Sequence, residues 1–292
     1  MKIHFISGLP RSGSTLLGGI LRQNPRFSGG MSSPLGGIVG GLIRSMGSEN
    51  EFSVFLDNEK RERIIRAAIE GYFADQTSLE VAFDTNRSWT VRLPLITTLF
   101  PQAKVIACVR SPAWVVDSVE RLVRKNALEH SNLFNQAERE TVFSRTESLM
   151  KPGRMVGYAL NALKEGYYSD LSERLLLLEY ETLCSRPKES LELLYQFLEE
   201  EPFDHDFNNV DYSAEEFDQK MSTPGLHTVR RKVSYKPRAT ILPPETFNIL
   251  DSHCFWRSGA RTKAFRIVEQ SRVQDSGSVA PNLSSPVLEE SH

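Results

Sequence analysis

Residues 3–15, Ile3-His4-Phe5-Ile6-Ser7-Gly8-Leu9-Pro10-Arg11-Ser12-Gly13-Ser14-Thr15, decide the fold. Residues 3–7 have the apolar content of a short buried strand, and Gly8-Leu9-Pro10 ends it. Ser14 to Gln23 places Leu16, Leu17, Ile20 and Leu21 on one face and reads as a helix. A strand, a tight loop and a helix in that order turn successive backbone N–H groups and a helix N-terminus toward one point, where they cradle an anion. The spacing of Gly8 and Gly13 matches the G-x-x-x-x-G-K-[ST] phosphate loop, but Ser14 stands where the lysine belongs. The cation is instead Arg11, inside the loop, whose planar fork suits a single oxyanion. The loop Pro10, Arg11, Ser12, Gly13, Ser14 and Thr15 is therefore expected to hold a phosphate or sulfonate without a metal. The competing reading is a Gly-Pro turn followed by a serine cap.

Working outward, Val81–Phe83, Lys104–Val109 and Leu175–Leu178 read as further strands. Helical periods cover residues 58–76, 90–99, 112–124, 136–150, 154–170 and 188–200. Strands alternating with helices predict an α/β fold. It is a P-loop-like three-layer sandwich with a central parallel sheet of four or five strands and helices on both faces. Residues 29–41 contain six glycines and read as a mobile loop. One domain is expected over residues 1–268. Residues 269–292, rich in Ser and Pro, read as a disordered tail.

Composition narrows the class of function. The 292 residues carry 35 Lys and Arg against 37 Asp and Glu, a net charge of -2, unlike the basic balance of a dedicated nucleic-acid binder. Three well-separated cysteines, Cys108, Cys184 and Cys254, offer neither a disulfide framework nor a metal site. No long apolar run suggests a membrane span, and the first residues enter a Gly-Pro turn too soon for a secretory signal. A cytoplasmic protein is expected.

A second group of residues follows the strand at 104–109. Arg110 stands at its carboxyl end, where open α/β sheets place ligands. Ser118 lies two turns into the next helix, so both side chains can border one cleft.

With these two loops the sequence resembles the sulfotransferases that use 3′-phosphoadenosine 5′-phosphosulfate (PAPS), and most of all a bacterial branch related to tyrosylprotein sulfotransferases. The resemblance implies that Pro10 to Thr15 bind the 5′-phosphosulfate and that Arg110 and Ser118 bind the 3′-phosphate. Tyr180, in Leu178-Glu179-Tyr180-Glu181, would lie near the adenosine, and the late basic residues Arg230 and Lys232 would close over the cofactor. Arg11 would stabilise the leaving phosphate, the product being 3′-phosphoadenosine 5′-phosphate (PAP). The implied acceptor is a small-molecule or peptidyl hydroxyl, with an amine as an alternative. The tyrosylprotein branch takes its general base from a glutamate after the first helix, and this chain has no carboxylate in residues 27–34. Asp84, in Phe83-Asp84-Thr85-Asn86-Arg87-Ser88-Trp89, and His227 are the two candidate bases. Arg87 and Trp89 either line the acceptor pocket or pack. Two other readings compete: a small-molecule kinase using ATP and Mg²⁺, and a nucleotide-binding module without catalysis.

Overall fold

The computed structural model describes residues 1–125, 133–215, 229–259 and 261–269. Its centre is β1 (Lys2–Gly8), buried from Ile3 to Gly8. A strand so covered must be paired on both edges, and β1 lies between β3 (Val81–Thr85) and β4 (Val105–Val109). The sheet has six strands in the order β2-β3-β1-β4-β5-β6, and every pair is parallel. The strand count corrects the expected four or five. The added strands are β2 (Phe27–Ser28) and β6 (Phe265–Ile267), one at each edge. Two or three residues are too few to show a period of two, so neither is legible in the sequence. The remaining strand, β5 (Leu175–Glu179), pairs with β4 and β6.

Successive strand side chains point to opposite faces, which divides the interior into two cores. Phe5, Val105, Ala107, Leu175 and Leu177 face one layer, formed by α2 (Leu35–Ser45), α3 (Asn58–Tyr72), α4 (Leu93–Leu99), α5 (Pro112–Val123), α6 (Val142–Met150) and α7 (Met155–Tyr167). Ile6, Ile106, Cys108, Leu176 and Leu178 face the other, formed by α1 (Ser14–Leu21), α8 (Tyr180–Ser185) and α9 (Pro187–Leu198). A last helix, α10 (Pro244–Asp251), packs on α5, and the Ser111 hydroxyl at the start of α5 donates to Asp251 over 2.6 Å. Cys108 is buried, and burial pushes its thiol up to about 12, so it behaves as a small apolar side chain.

The glycine-rich segment is a second correction. Instead of a mobile loop over residues 29–41, a helix starts at Leu35 and runs to Ser45. Two of its glycines are there for close approach. A Cβ on Gly36 would lie 2.3 Å from Asn86 Cγ, and one on Gly40 would lie 2.8 Å from the Arg92 guanidinium. These contacts seat α2 over the exit of β3. Most of the expected tail lies outside the described residues. Its first residue, Glu269, donates its backbone N–H to the buried Glu179 carboxylate over 2.8 Å. Among the described residues no helix is long and apolar enough to cross a membrane.

Candidate active site

The loop between β1 and α1 is built by residues that tolerate unusual backbone. Gly8 has φ 108° and Gly13 has φ 90°. At Gly8 a Cβ would sit 2.0 Å from the Cys108 carbonyl oxygen, so only glycine lets the exit of β1 press against β4. Between them Arg11 adopts φ 60°, a left-handed conformation that costs a non-glycine residue about 1–2 kcal/mol. Strain of this kind persists where the surroundings fix it, and functional loops are such places. The Ser12 hydroxyl supplies part of that fixing. It is buried, and its one proton is shared between the carbonyls of Leu9 and Cys108, the latter at 2.7 Å. Of the expected loop residues Ser12 thus turns its side chain inward, and only its backbone can face a ligand. Pro10 is buried beside it.

From Gly13 the chain enters α1 with no capping side chain and no acidic residue in the first turn. The hydroxyls of Ser14 and Thr15 have no hydrogen-bond partner among the described residues. The positive end of α1 is therefore left to whatever occupies the loop. Arg11 leans across from there, and its Nε donates to the Ser118 hydroxyl of α5 over 3.2 Å. Ser118, expected to act beside Arg110, is thus the point where the first loop is tied to the helix after β4.

The two loops meet at Tyr180. A Cβ on Gly13 would lie 2.8 Å from Tyr180 Cδ2, and the Arg110 guanidinium lies over the same ring, 4.4 Å from its centre. That distance suits a cation–π contact. Arg110 also donates Nε to Glu181 over 2.8 Å. Its remaining nitrogens have no hydrogen-bond partner among the described residues, so the fork keeps donors for an oxyanion. Burial pushes the Tyr180 phenol up to about 12, keeping it neutral. The structure therefore brings Arg11, Gly13, Arg110, Ser118 and Tyr180 into one continuous group.

Asp84 lies elsewhere. It is the fourth residue of β3, 1% exposed, and its Oδ1 accepts the Trp89 indole N–H over 2.7 Å. Burial raises its pKa above the ordinary carboxylate value, with the Ser33 and Trp89 side chains pulling the other way. Trp89 packs: it is fully buried against Phe5, with ring centres 4.8 Å apart. Asn86, rather than Asp84, closes the turn that follows, accepting from Ser88 N–H over 3.1 Å. Arg87 sits between them, and its carbonyl accepts the hydroxyl of Ser7, one residue before the phosphate loop, over 3.1 Å.

His227 lies outside the described residues. Arg230 and Lys232 are exposed on a segment that runs beside residues 207–212, joined by Val210 N to Arg231 O at 2.7 Å and Val233 N to Phe207 O at 2.8 Å. No described hydrogen bond or ion pair joins either one to the residues around Tyr180. A late cation that the sequence reading missed is Arg238, which is seated on α5. Its guanidinium lies 5.7 Å from the Trp114 ring centre and pairs with Asp117. Burial lowers its pKa, Asp117 opposes this, and Arg110 adds to the lowering. Asp117, fully buried on α5, also accepts from Arg121 and from Ile241 N–H at 2.9 Å. The signal was a carboxylate on the apolar side of an amphipathic helix, but of its partners only Arg121 is near in sequence, and Arg238 and Ile241 lie more than a hundred residues further on.

A parallel sheet with a phosphate-type loop after its first strand and an arginine at the exit of a neighbouring strand defines a P-loop-like α/β protein. The model of the sulfotransferase family matches residues 4–205. The chain belongs to that family. Among solved structures it is similar to the sulfotransferase domain from the curacin biosynthetic pathway, with 19% identity over 70% of this chain and 75% of that one, TM-score 0.45. It is also similar to the sulfotransferase domain of the Synechococcus PCC 7002 olefin synthase, with 20% identity over 86% and 94% of the two chains, TM-score 0.46. A third is the sulfotransferase STF9 from Mycobacterium avium, with 14% identity over 90% and 78%, TM-score 0.46. No curated protein matches the chain.

Proposed function

We propose that this sulfotransferase moves the sulfuryl group of PAPS to a hydroxyl or amine acceptor, small or peptidyl, in the cytoplasm. The observation that carries the reading is the shared position of Tyr180, with Gly13 of the first loop at its edge and Arg110 over its face. One molecule bearing a phosphate at each end of a nucleoside would engage both loops. The residues fit it: α1 begins uncapped, Arg11 is held in a strained turn, and Arg110 keeps free donors.

When bound, PAPS supplies an activated sulfuryl group on a phosphate leaving group. The chain's part is to hold and to neutralise. Arg11 and the N–H groups from Gly13 to Thr15 would stabilise the negative charge that grows on the leaving phosphate oxygens, and being preorganised they need not reorient during the reaction. Ser118 fixes the direction of the Arg11 side chain. Arg110 would hold the 3′-phosphate and set the position of the nucleoside along the sheet. Tyr180, neutral and packed on Gly13, gives it a flat wall. For the acceptor proton, Asp84 is the candidate base among the described residues. Its raised pKa has the direction that favours accepting a proton. Its burial means that the segment before α2, whose Ser33 N–H is bonded to Thr85 O over 3.0 Å, must shift for an acceptor to reach it.

The test is turnover. PAP formation from PAPS is measured over a panel of alcohols, phenols, amines and hydroxyl-bearing peptides. Acceptor-dependent PAP release, reduced about 10²–10³-fold by Arg11→Ala, supports the reading. Tight PAP binding with no turnover on any acceptor favours the binding module, and phosphoryl transfer from ATP favours the kinase.

A further inference from the structure

Arg110 is held in an unusual way for a residue offered to a phosphate. Its side chain and that of Glu181 are 13% and 11% exposed, and the two form an ion pair of 2.8 Å through Nε. Approach is through Nε, with no described hydrogen bond from either Nη group, so the outer edge of the fork keeps its N–H groups, and the Tyr180 ring covers one face of the guanidinium plane. The guanidinium is thus fixed by one contact at its side and one at its face. The second carboxylate oxygen, Oε2, is buried with no hydrogen bond. A phosphate arriving at Arg110 therefore meets a carboxylate that is only half satisfied and already sharing the same cation.

We propose that Glu181 is a positioning residue for Arg110 and that its carboxylate makes binding of the 3′-phosphate proton-linked, taking up a proton as the nucleotide binds. The inference rests on the PAPS reading above. A carboxylate and a phosphate dianion sharing one arginine repel each other, and the pair relieves this by protonating the carboxyl. Burial already raises the Glu181 pKa, Arg110 opposing it. Among the described residues the groups that face this carboxyl are few. Beside Arg110 they are Tyr180 and Cys184 on its own helix, Glu179 at the end of β5, and Tyr235, whose N–H is bonded to Cys184 O over 3.2 Å. Arg238, paired with Asp117, is a further charge that Arg110 and Tyr235 feel. Tyr180 and Cys184 are pushed up to about 12 and about 11, and the two oxygens of Glu179 are held by Arg257 and by Glu269 N–H. Glu181 is left as the carboxyl free to take the proton.

The experiment is calorimetric titration of the full chain with PAP in two buffers of different ionisation enthalpy, which counts protons bound per nucleotide. Glu181→Gln keeps an oxygen for Arg110 Nε but carries no charge. It should bind PAP about threefold or more tightly at about pH 8 and take up about half a proton fewer than wild type at about pH 6. Titration of the phosphate itself is common to both proteins and cancels. Glu181→Asp keeps the charge but falls short of Nε, and should bind about tenfold more weakly while remaining folded by circular dichroism. Equal proton counts in wild type and Glu181→Gln overturn the linkage. Wild-type affinity in Glu181→Asp overturns the positioning role. If wild type binds no PAP, the PAPS reading fails and the inference with it. If Arg110→Ala weakens PAP while both Glu181 variants match wild type, the reading stands and the inference alone falls.

Discussion

Gly13 and Tyr180 stand edge to edge: a single methyl group on Gly13 would come within 2.8 Å of Tyr180 Cδ2. The first loop and the segment after β5 are separated by 167 positions, the difference of their residue numbers, yet the site exists only where they touch.

Gly13→Ala should therefore damage the site twice. The backbone at φ 90° costs an alanine about 1–2 kcal/mol, and the ring must move, taking its contact with Arg110 along. The expected outcome is a lower melting temperature with a larger loss of PAP affinity than Ser14→Ala shows. Equal affinities in the two variants would show that the ring contact is incidental.

Ser12→Ala should loosen the loop without touching a ligand. It removes the only side-chain hydrogen bond to the Leu9 carbonyl among the described residues, while Cys108 O keeps the Leu9 N–H at 2.9 Å. A buried group left without its partner costs about 1–3 kcal/mol. Denaturant unfolding should show a loss in that range, and amide exchange at residues 9–13 should speed up.

Asp84 gives a prediction with a definite sign in pH. Its pKa is raised by burial, so the folded chain binds more protons at this site than the unfolded chain does. Stability from this group is greatest below the unfolded value and falls as pH rises through the folded one. Asp84→Asn keeps an oxygen for the Trp89 indole and removes the charge. The difference in unfolding free energy between Asp84→Asn and wild type should grow in favour of the variant as pH rises from about 4 to about 8. If Asp84 is also the base, the same variant should lose turnover by about 10²–10⁴-fold while gaining stability. Unchanged turnover would remove Asp84 from the chemistry.

The Asp117 carboxylate is the anchor of residues 238–241, and it is held below the usual carboxylate range by Ile241 N–H, Arg121 and Arg238, against the burial that would raise it. Asp117→Ala should release Arg238 from α5 and increase protease sensitivity between residues 236 and 243. Intact protection there would show that the Trp114 and α10 contacts suffice.

Much of this was legible in the sequence, and the reason is local. The strands β1, β3, β4 and β5 are apolar runs with a turn signal at their ends, and the first loop carries its own spacing of Gly8 and Gly13. The edge strands were not legible, because β6 exists only as an addition to β5. Residues 29–41 misled because glycine content signals flexibility locally, whereas in the helix that begins at Leu35 Gly36 and Gly40 answer to Asn86 and Arg92, distant in sequence. Arg110 was found from its place at a strand end. Tyr180 was named through the resemblance alone, and that it and Glu181 pack on Arg110 was not legible, since both reach it only through tertiary packing. The basic residues Arg230 and Lys232 drew attention by density of charge, yet the late cation packed on α5 is the solitary Arg238.

The measurement that tests the central claim most directly is calorimetric titration of wild type and Arg110→Ala with PAP, without metal, beside ATP with Mg²⁺. Wild type is expected to bind PAP in the micromolar range, the variant about tenfold or more weakly, and ATP is expected to bind more weakly than PAP. Absent PAP binding together with Mg²⁺-dependent binding of ATP would contradict that claim.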